Sequence, residues 1–452
     1  MNPEPSLPRD LGDGLRLRRS TPADAEALAD FNSRIHSDDG FEYPDVRLGA
    51  WTRDLLTRPH PTFNSGDFTL VEETATGKIV SSMNLISQTW AYEGIRFGVG
   101  RPELVGTLPE YRNRGLVRQQ FDVVHQWSAA RGELVQAITG IPYYYRLFGY
   151  EMTLNLGGGR AGFITHIPRL KEGQAEPYRL RPVQEADLPF WAETYAQGSR
   201  RNMITCVWDE ALLRCELNDK SFENVNRFEL RLIESAEGER VGILTHPFYN
   251  WGTMLPATGY ELRPGVSWAA VTPSVVRYLE TQGRAYAQGP QYTQEAQPPF
   301  DSFGFWLGEE HPAYQVLGNR LPRVRAPYAF FIRVADLAGF LRHIAPALED
   351  RLADSPMVGH SGETLISFYR DGLRLVFEKG RLTTVEPWKP TPQGHSGNAL
   401  FPGLTFLQLV FGYRSLDELK NAFADCGVDN DEHTPLLKAI FPRKPSDMWP
   451  VS

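Results

Sequence analysis

Cysteine is scarce in this chain. Cys206, Cys215 and Cys426 are its only three in 452 residues, an odd number that supports no closed set of disulfides. None stands in a Cys-x-x-Cys or His-rich spacing suited to zinc, so reduced, buried thiols are the expectation. The ten histidines show no ligand spacing either, and no metal is expected. Long apolar runs are also missing. No stretch approaches the roughly 18 consecutive apolar residues of a membrane span, and the first fourteen residues are polar, proline-bearing and acidic rather than a basic leader. A cytoplasmic protein without a membrane partner is expected. Basic excess is absent as well: the formal net charge of -8 argues against a nucleic-acid partner and suits a cationic, amine-bearing small molecule.

At this length, with 41% apolar residues, the chain can bury a large core, and the length prior suggests about three domains. After a polar tail over residues 1–14, the segment 15–165 opens with a strand at Leu15–Arg19. Thr21-Pro22 then announces a helix through Ile35, because a capping hydroxyl followed by proline suits a helix start. Strands are predicted around Phe68–Val71 and Ile79–Ile86. A β-prone run from Glu103 to Leu108 is closed by Pro109, and a basic turn follows at Arg112–Gly115. The helix after it, to Arg131, shows apolar residues at Val117, Phe121, Val124 and Trp127, the helical period. A strand at Leu134–Ile138 completes the order strand, turn, helix, strand.

Past Gly157-Gly158-Gly159, read as a flexible linker, the chain begins again. Tyr178–Pro182 repeats the opening strand and Gln184–Asp187 restarts a helix, so 177–320 reads as a second copy of the first segment. Its stretch from Ser267 to Leu279 carries no basic glycine turn, and this copy is expected to be structural. The segment 322–452 differs. It combines a strand at Tyr328–Val334, a helix from Asp336 to Leu352, a hairpin around Asp371-Gly372 and closing helices, which makes an α+β domain with a meander.

The chemistry concentrates in Val105-Gly106-Thr107-Leu108-Pro109-Glu110-Tyr111-Arg112-Asn113-Arg114-Gly115-Leu116-Val117-Arg118. A glycine at the mouth of a helix lets backbone N–H groups close on a diphosphate, and the helix N-terminus adds partial positive charge. Arg112, Arg114 and Arg118 add full charges. From the residues alone this is an anion site or a solvated basic loop.

The run resembles the pyrophosphate-binding motif of the GCN5-related N-acetyltransferases (GNATs), with Arg112 and Gly115 matching and Val117 in place of the usual final small residue. A second match, Tyr145-Arg146-Leu147-Phe148-Gly149-Tyr150, resembles that family's tyrosine signature. The resemblance implies acetyl-CoA as co-substrate, held by Val105, Gly106, Thr107, Arg112 to Arg118, Gly140 and Ile141. It implies that Val105–Leu108 splays open to bind the pantetheine arm, and that Tyr145 protonates the leaving thiolate. Tyr143 and Tyr144 are expected to pack. With the second copy and a C-terminal domain similar to sterol carrier protein 2 (SCP2), the chain resembles the enhanced-intracellular-survival (Eis) type. The fold class implied is α/β and α+β, two tandem GNAT folds followed by an SCP2-like domain.

In that type the chain's terminal carboxylate enters the active site, which would make Ser452 a catalytic group, although this chain ends without an aromatic residue. Asp38, Asp39 and Glu42, in the loop after the first helix, are the competing candidates, as acceptor-binding residues or base. His36 nearby reads as a satisfied histidine. The implied activity is acetyl transfer to an amine of a small cationic acceptor, in an enzyme that forms oligomers. The alternative is a non-catalytic acyl-CoA or lipid binder, with Phe401, Leu404, Phe406, Leu407 and Phe411 lining a tunnel or simply packing a core.

Overall fold

A computed structural model describes residues 6–289, 298–391, 397–428 and 432–448. The N-terminal unit is built on β1 (Arg9–Gly12), β2 (Leu15–Arg19), β3 (Phe68–Glu73), β4 (Ile79–Tyr92), β5 (Ile95–Thr107), β6 (Val135–Thr139) and β7 (Glu151–Leu156), with α1 (Ala25–Ile35), α2 (Val46–Thr57) and α3 (Leu116–Ala130). Local signals explain the boundaries. Thr21 and Asp24 form a capping box over a 3-10 turn, so α1 starts at Ala25, three residues past Pro22. Asp45 accepts from the Arg47 and Leu48 N–H groups and thereby starts α2.

β4 and β5 form a long hairpin whose turn, Glu93-Gly94, has positive φ at both residues (46° and 90°). The sequence showed only the ends of this hairpin. Its tip carries Trp90, Tyr92 and Phe97 into a core shared with the C-terminal segment, where Phe97 meets Phe340 edge to face at 5.4 Å. The Tyr92 hydroxyl donates to the Val410 carbonyl at 2.7 Å.

The strand order β1-β2-β3-β4-β5-β6 continues through Tyr328–Arg333 to β7, and Ile204–Cys206 pairs with the tip of β4. Tyr328–Arg333 therefore lies between β6 and β7, antiparallel to both. The counterpart is equally clear. Gly159–Phe163, the strand directly after β7, leaves the sheet and lies between Ser302–Phe305 and Arg323–Arg325, again antiparallel to both. The N-terminal unit and the later part of the chain thus each lend a strand to the other's sheet. These pairings cross the expected boundaries at 165 and 322.

The passage Gly157-Gly158-Gly159 is a crossover, not a loose linker. Gly157 and Gly158 have positive φ (58° and 83°), and a side chain on Gly159 would run into the Phe305 carbonyl.

The remaining strands form a four-stranded antiparallel sheet containing Tyr178–Pro182 and Phe228–Ser235, and a five-stranded C-terminal sheet around the Gly362–Ser367 and Gly372–Glu378 hairpin. The single helix expected over Asp336–Leu352 is two, Leu337–His343 and Ala345–Ala353. Pro346 has no N–H to continue the first helix and suits the first turn of the second. Phe401, Phe406, Leu407 and Phe411 are buried, with Phe401 and Phe406 rings 5.1 Å apart, whereas Leu404 is exposed. All three cysteines are buried and none forms a disulfide. Among the described residues no helix is long and apolar enough to cross a membrane.

The donated strand places Phe330 in the core against Trp90, with ring centroids 5.5 Å apart. Phe330→Ala should cost about 3–5 kcal/mol, the usual range for removing a buried phenylalanine. Urea unfolding followed by tryptophan fluorescence measures it. A loss well under 1 kcal/mol would mean that the N-terminal sheet does not depend on this strand.

Candidate active site

β5 and β6 are parallel neighbours for only two residue pairs, Val99 with Val135 and Gly100 with Gln136. Beyond them the strands part, which leaves a V whose arms are 101–107 and 137–140. A bulge on β5 accompanies the parting. Between the pairs Asn84–Glu103 and Ser82–Gly106, β5 carries one residue more than β4, and Leu104 has φ +52°. The extra residue flips the side-chain alternation. A Cβ on Gly100 would strike Ser128 of α3 and Glu133, whereas one on Gly106 would strike Ile35 and Phe31 of α1. Glycine at 106 therefore lets α1 lie close to the strand.

A cleft of about 580 Å³ runs from the V to the start of α3. Val105, Gly106, Thr107, Ile141 and the whole run Arg112 to Arg118 line it, so every expected acyl-CoA contact except Gly140 faces this one space. At its outer end Asn113 and Gly115 are left-handed (φ 63° and 74°), and Gly115 is the residue from which α3 starts. Arg112, Arg114 and Arg118 are exposed there. Arg114 pairs with Asp13 at 3.0 Å and Arg118 lies over the Phe148 ring at 5.1 Å. The ion pair is at the surface and weak, so it leaves Arg114 free to exchange partners. Val117, in place of a small residue, is half-buried and lines the cleft without closing it.

The inner end belongs to tyrosines. Tyr145 is buried against Phe121 of α3, Tyr150 and Phe331 (ring centroids 6.0 to 6.3 Å). Its hydroxyl lies over Gly140, where a Cβ would sit 3.3 Å from it. Gly140 thus makes room for the phenol and adopts φ +125° at the end of β6. The Tyr328 hydroxyl donates to the Gly140 carbonyl at 2.6 Å, so the donated strand also braces this corner. Burial, then the neighbouring Glu103, Tyr144 and Tyr328, push the Tyr145 phenol well above the usual range, and it stays protonated at neutral pH. Tyr144 lines the cleft and packs on Phe148 (5.4 Å). Tyr143, expected to pack, is instead exposed, because at φ +70° it caps the turn rather than joining it.

Asp38, Asp39 and Glu42 are exposed on the loop between α1 and α2, and none lines the cleft. Ser452 lies outside the described residues, as does Trp449. The last described part of the tail runs beside Ile204–Cys206. The Met203 N–H donates to the Pro445 carbonyl at 2.8 Å, and Asp447 bridges to Thr205 in parallel. Since Ile204–Cys206 is antiparallel to β4, the tail there runs from the Tyr92 end of β4 toward Asn84.

Three further residues lie at or beside the cleft: His36, expected from the sequence as a satisfied histidine, and Arg101 and Glu103, not singled out there. His36 lines the cleft beside the bulge, hydrogen-bonded to the Leu104 backbone, and burial pushes its imidazole down to about 4, so it is neutral. Arg101 and Glu103, on β5 just before the bulge, form an ion pair with side chains 3% and 13% exposed. Burial raises the Glu103 carboxyl despite the neighbouring guanidinium. Two charges at alternating positions in an otherwise buried strand were the available signal.

Residues 33–153 match the family model described as acetyltransferase (GNAT) domain. Among curated proteins none matches the chain. Solved structures similar over almost the whole length include a conserved protein from Enterococcus faecalis V583 described as a probable N-acyltransferase. It is 15% identical, with 96% of this chain and 98% of that one covered and a TM-score of 0.63. A GCN5-related N-acetyltransferase from Kribbella flavida is 16% identical, with 96% and 97% covered and a TM-score of 0.62. Eis1 from Mycobacterium abscessus is 13% identical, with 96% and 99% covered and a TM-score of 0.58. At such identities the likeness is one of fold, and it extends through all the layers described above. The parted strands, the cationic turn and Tyr145 all fall within residues 33–153, the stretch that is similar to the GNAT acetyltransferase domain model.

Proposed function

We propose that the chain is an N-acetyltransferase that moves an acetyl group from acetyl-CoA to an amine of a small cationic acceptor, by direct attack within a ternary complex. The observation that carries this reading is the position of a buried, protonated tyrosine at the inner end of a cleft whose outer end is a three-arginine turn on a helix N-terminus.

The reading assigns the diphosphate of coenzyme A to the turn at Arg112–Gly115, where N–H groups, helix dipole and guanidinium charges add. The pantetheine arm then lies along Val105–Thr107, whose outer edge has lost its β6 partner and has backbone groups to offer it. The thioester arrives in the V. There a β5 N–H can polarise its carbonyl and stabilise the oxyanion, and the Tyr145 hydroxyl can protonate the sulfur as the C–S bond breaks. A free alkylamine has a pKa near about 10 and must shed a proton before it attacks. The net charge of -8 and the exposed Asp38, Asp39 and Glu42 favour a cationic acceptor at the mouth. The described part of the tail, through Met448, runs along β4 in the direction of the V, which supports keeping the Ser452 carboxylate in this proposal as a group that shapes the acceptor site. The Eis-type reading of the middle and C-terminal segments, with its expected oligomer, belongs to this proposal and is supported by the end-to-end likeness of fold.

Two outcomes follow. Tyr145→Phe should lower kcat by about 10²- to 10⁴-fold, the span of general acid catalysis, while acetyl-CoA affinity changes less than about threefold. Thiol release with a polyamine and aminoglycoside panel, paired with calorimetric acetyl-CoA binding, measures both, and an unchanged kcat would remove Tyr145 from the mechanism. Arg114→Ala and Arg118→Ala should each weaken acetyl-CoA binding and flatten its dependence on salt, because each removes a charge facing the phosphates. If dephosphorylated pantetheine analogues lose affinity to the same extent, the turn is not the phosphate site.

A further inference from the structure

The face of β4 and β5 that looks away from α3 holds a second set of polar groups. Gly100 points at Ser128 and Glu133 on the α3 side, so by alternation Arg101 and Glu103 point to the opposite side. Asn84 is the direct cross-strand partner of Glu103, and such partners share a face with their Cβ atoms about 5 Å apart. The Asn84 side chain is fully buried, yet neither its oxygen nor its nitrogen has a hydrogen-bond partner among the described residues. A buried primary amide with four unmet hydrogen-bonding positions is costly unless something else meets them. Beside it stands the Glu103 carboxylate, paired with Arg101 and still partly accessible. Glu103 is also the strongest electrostatic neighbour of Tyr145, whose hydroxyl occupies the other arm of the V.

We infer that Asn84 and Glu103 form the subsite for the acceptor's reacting nitrogen, with Asn84 as a positioning residue and Glu103 as the base. This rests on the acetyltransferase reading above and deepens it. The Asn84 side-chain oxygen accepts a hydrogen bond from the incoming ammonium, and the Glu103 carboxylate takes one proton from it. The freed nitrogen lone pair forms the C–N bond to the thioester carbon. The tetrahedral oxyanion then collapses as the C–S bond breaks and its electron pair leaves with sulfur. Tyr145 protonates that sulfur, and the tyrosinate recovers a proton from the nitrogen of the new amide. The proton on Glu103 goes to solvent. Per turnover one ammonium and one acetyl thioester become one amide, one thiol and one free proton, so charge and atoms balance. A carboxylate raised by burial and a phenol raised at the same spot divide the two proton transfers between them: one ionises to accept, the other stays protonated to donate.

The test compares two acceptors in the full-length protein. One is an alkylamine turned over by the wild type, and the other is hydroxylamine, which is largely unprotonated at neutral pH and needs no base to free its lone pair. Glu103→Gln should lower kcat for the alkylamine by about 10² or more, keep the hydroxylamine rate within about threefold, and lose the acid limb of the alkylamine's pH profile. Asn84→Leu should raise KM for the alkylamine about tenfold with acetyl-CoA affinity unchanged. Equal losses on both amines in Glu103→Gln, or an acid limb that survives, would overturn the assignment. Should Glu103→Gln fail to fold, Arg101→Gln replaces it. Removing the cation that holds the carboxyl down must move the acid limb to higher pH, and an unmoved limb also overturns the proposal. A wild type that turns over no amine in the panel defeats the acetyltransferase reading itself, which is a separate result.

Discussion

The site depends on one constraint: β5 and β6 stay paired through Gly100 and Gln136 and no further. Two forces hold them apart. On β5 the bulge at Leu104 shifts the register, and Gly106 lets Phe31 and Ile35 of α1 close in from one side. On β6 the chain ends at Gly140, over which Tyr145 is packed, with Tyr328 tied to the Gly140 carbonyl. A V between parallel strands exposes backbone groups that water or a ligand must satisfy. This is a destabilising arrangement in isolation, and the rest of the molecule is organised to keep it open.

The reciprocal donation of strands serves that purpose. Tyr328–Arg333 closes the sheet on the far side of β6 and brings Phe330 and Phe331 to its two faces, one against Trp90 and one against Tyr145. Gly159–Phe163 does the same for the middle of the chain. Neither half has a complete sheet without the other. The C-terminal segment is bound in by the β4–β5 hairpin, whose tip Tyr92 reaches the Val410 carbonyl. A corner of the cleft braced by a strand 188 residues away in sequence is fixed by the whole fold rather than by one unit.

Much of the site was legible because its parts are local. The turn at Arg112–Gly115, the helix after it and Tyr145 each depend on residues close in sequence: a left-handed glycine, an apolar repeat, a spacing back from Phe148. What the sequence hid was whatever depends on distant partners. Tyr328–Arg333 reads as the start of a new domain because β-propensity does not say which strands it will join, and Gly157–Gly159 reads as slack because close backbone approach leaves no local mark. Glu103 and Asn84 looked like ordinary strand residues until the ladder set them opposite each other. Tyr143 failed the opposite way, as a positive φ turned a packing residue outward. The three acidic loop residues were plausible by type alone, and the structure leaves them exposed on the α1–α2 loop, outside the cleft lining.

The most direct measurement is a crystal structure with coenzyme A bound. The account predicts the diphosphate on the N–H groups of Asn113–Leu116, the pantetheine arm along Val105–Thr107 and the sulfur within hydrogen-bond reach of the Tyr145 hydroxyl. Coenzyme A bound elsewhere, or in this cleft with its sulfur turned away from the parted strands, would contradict it.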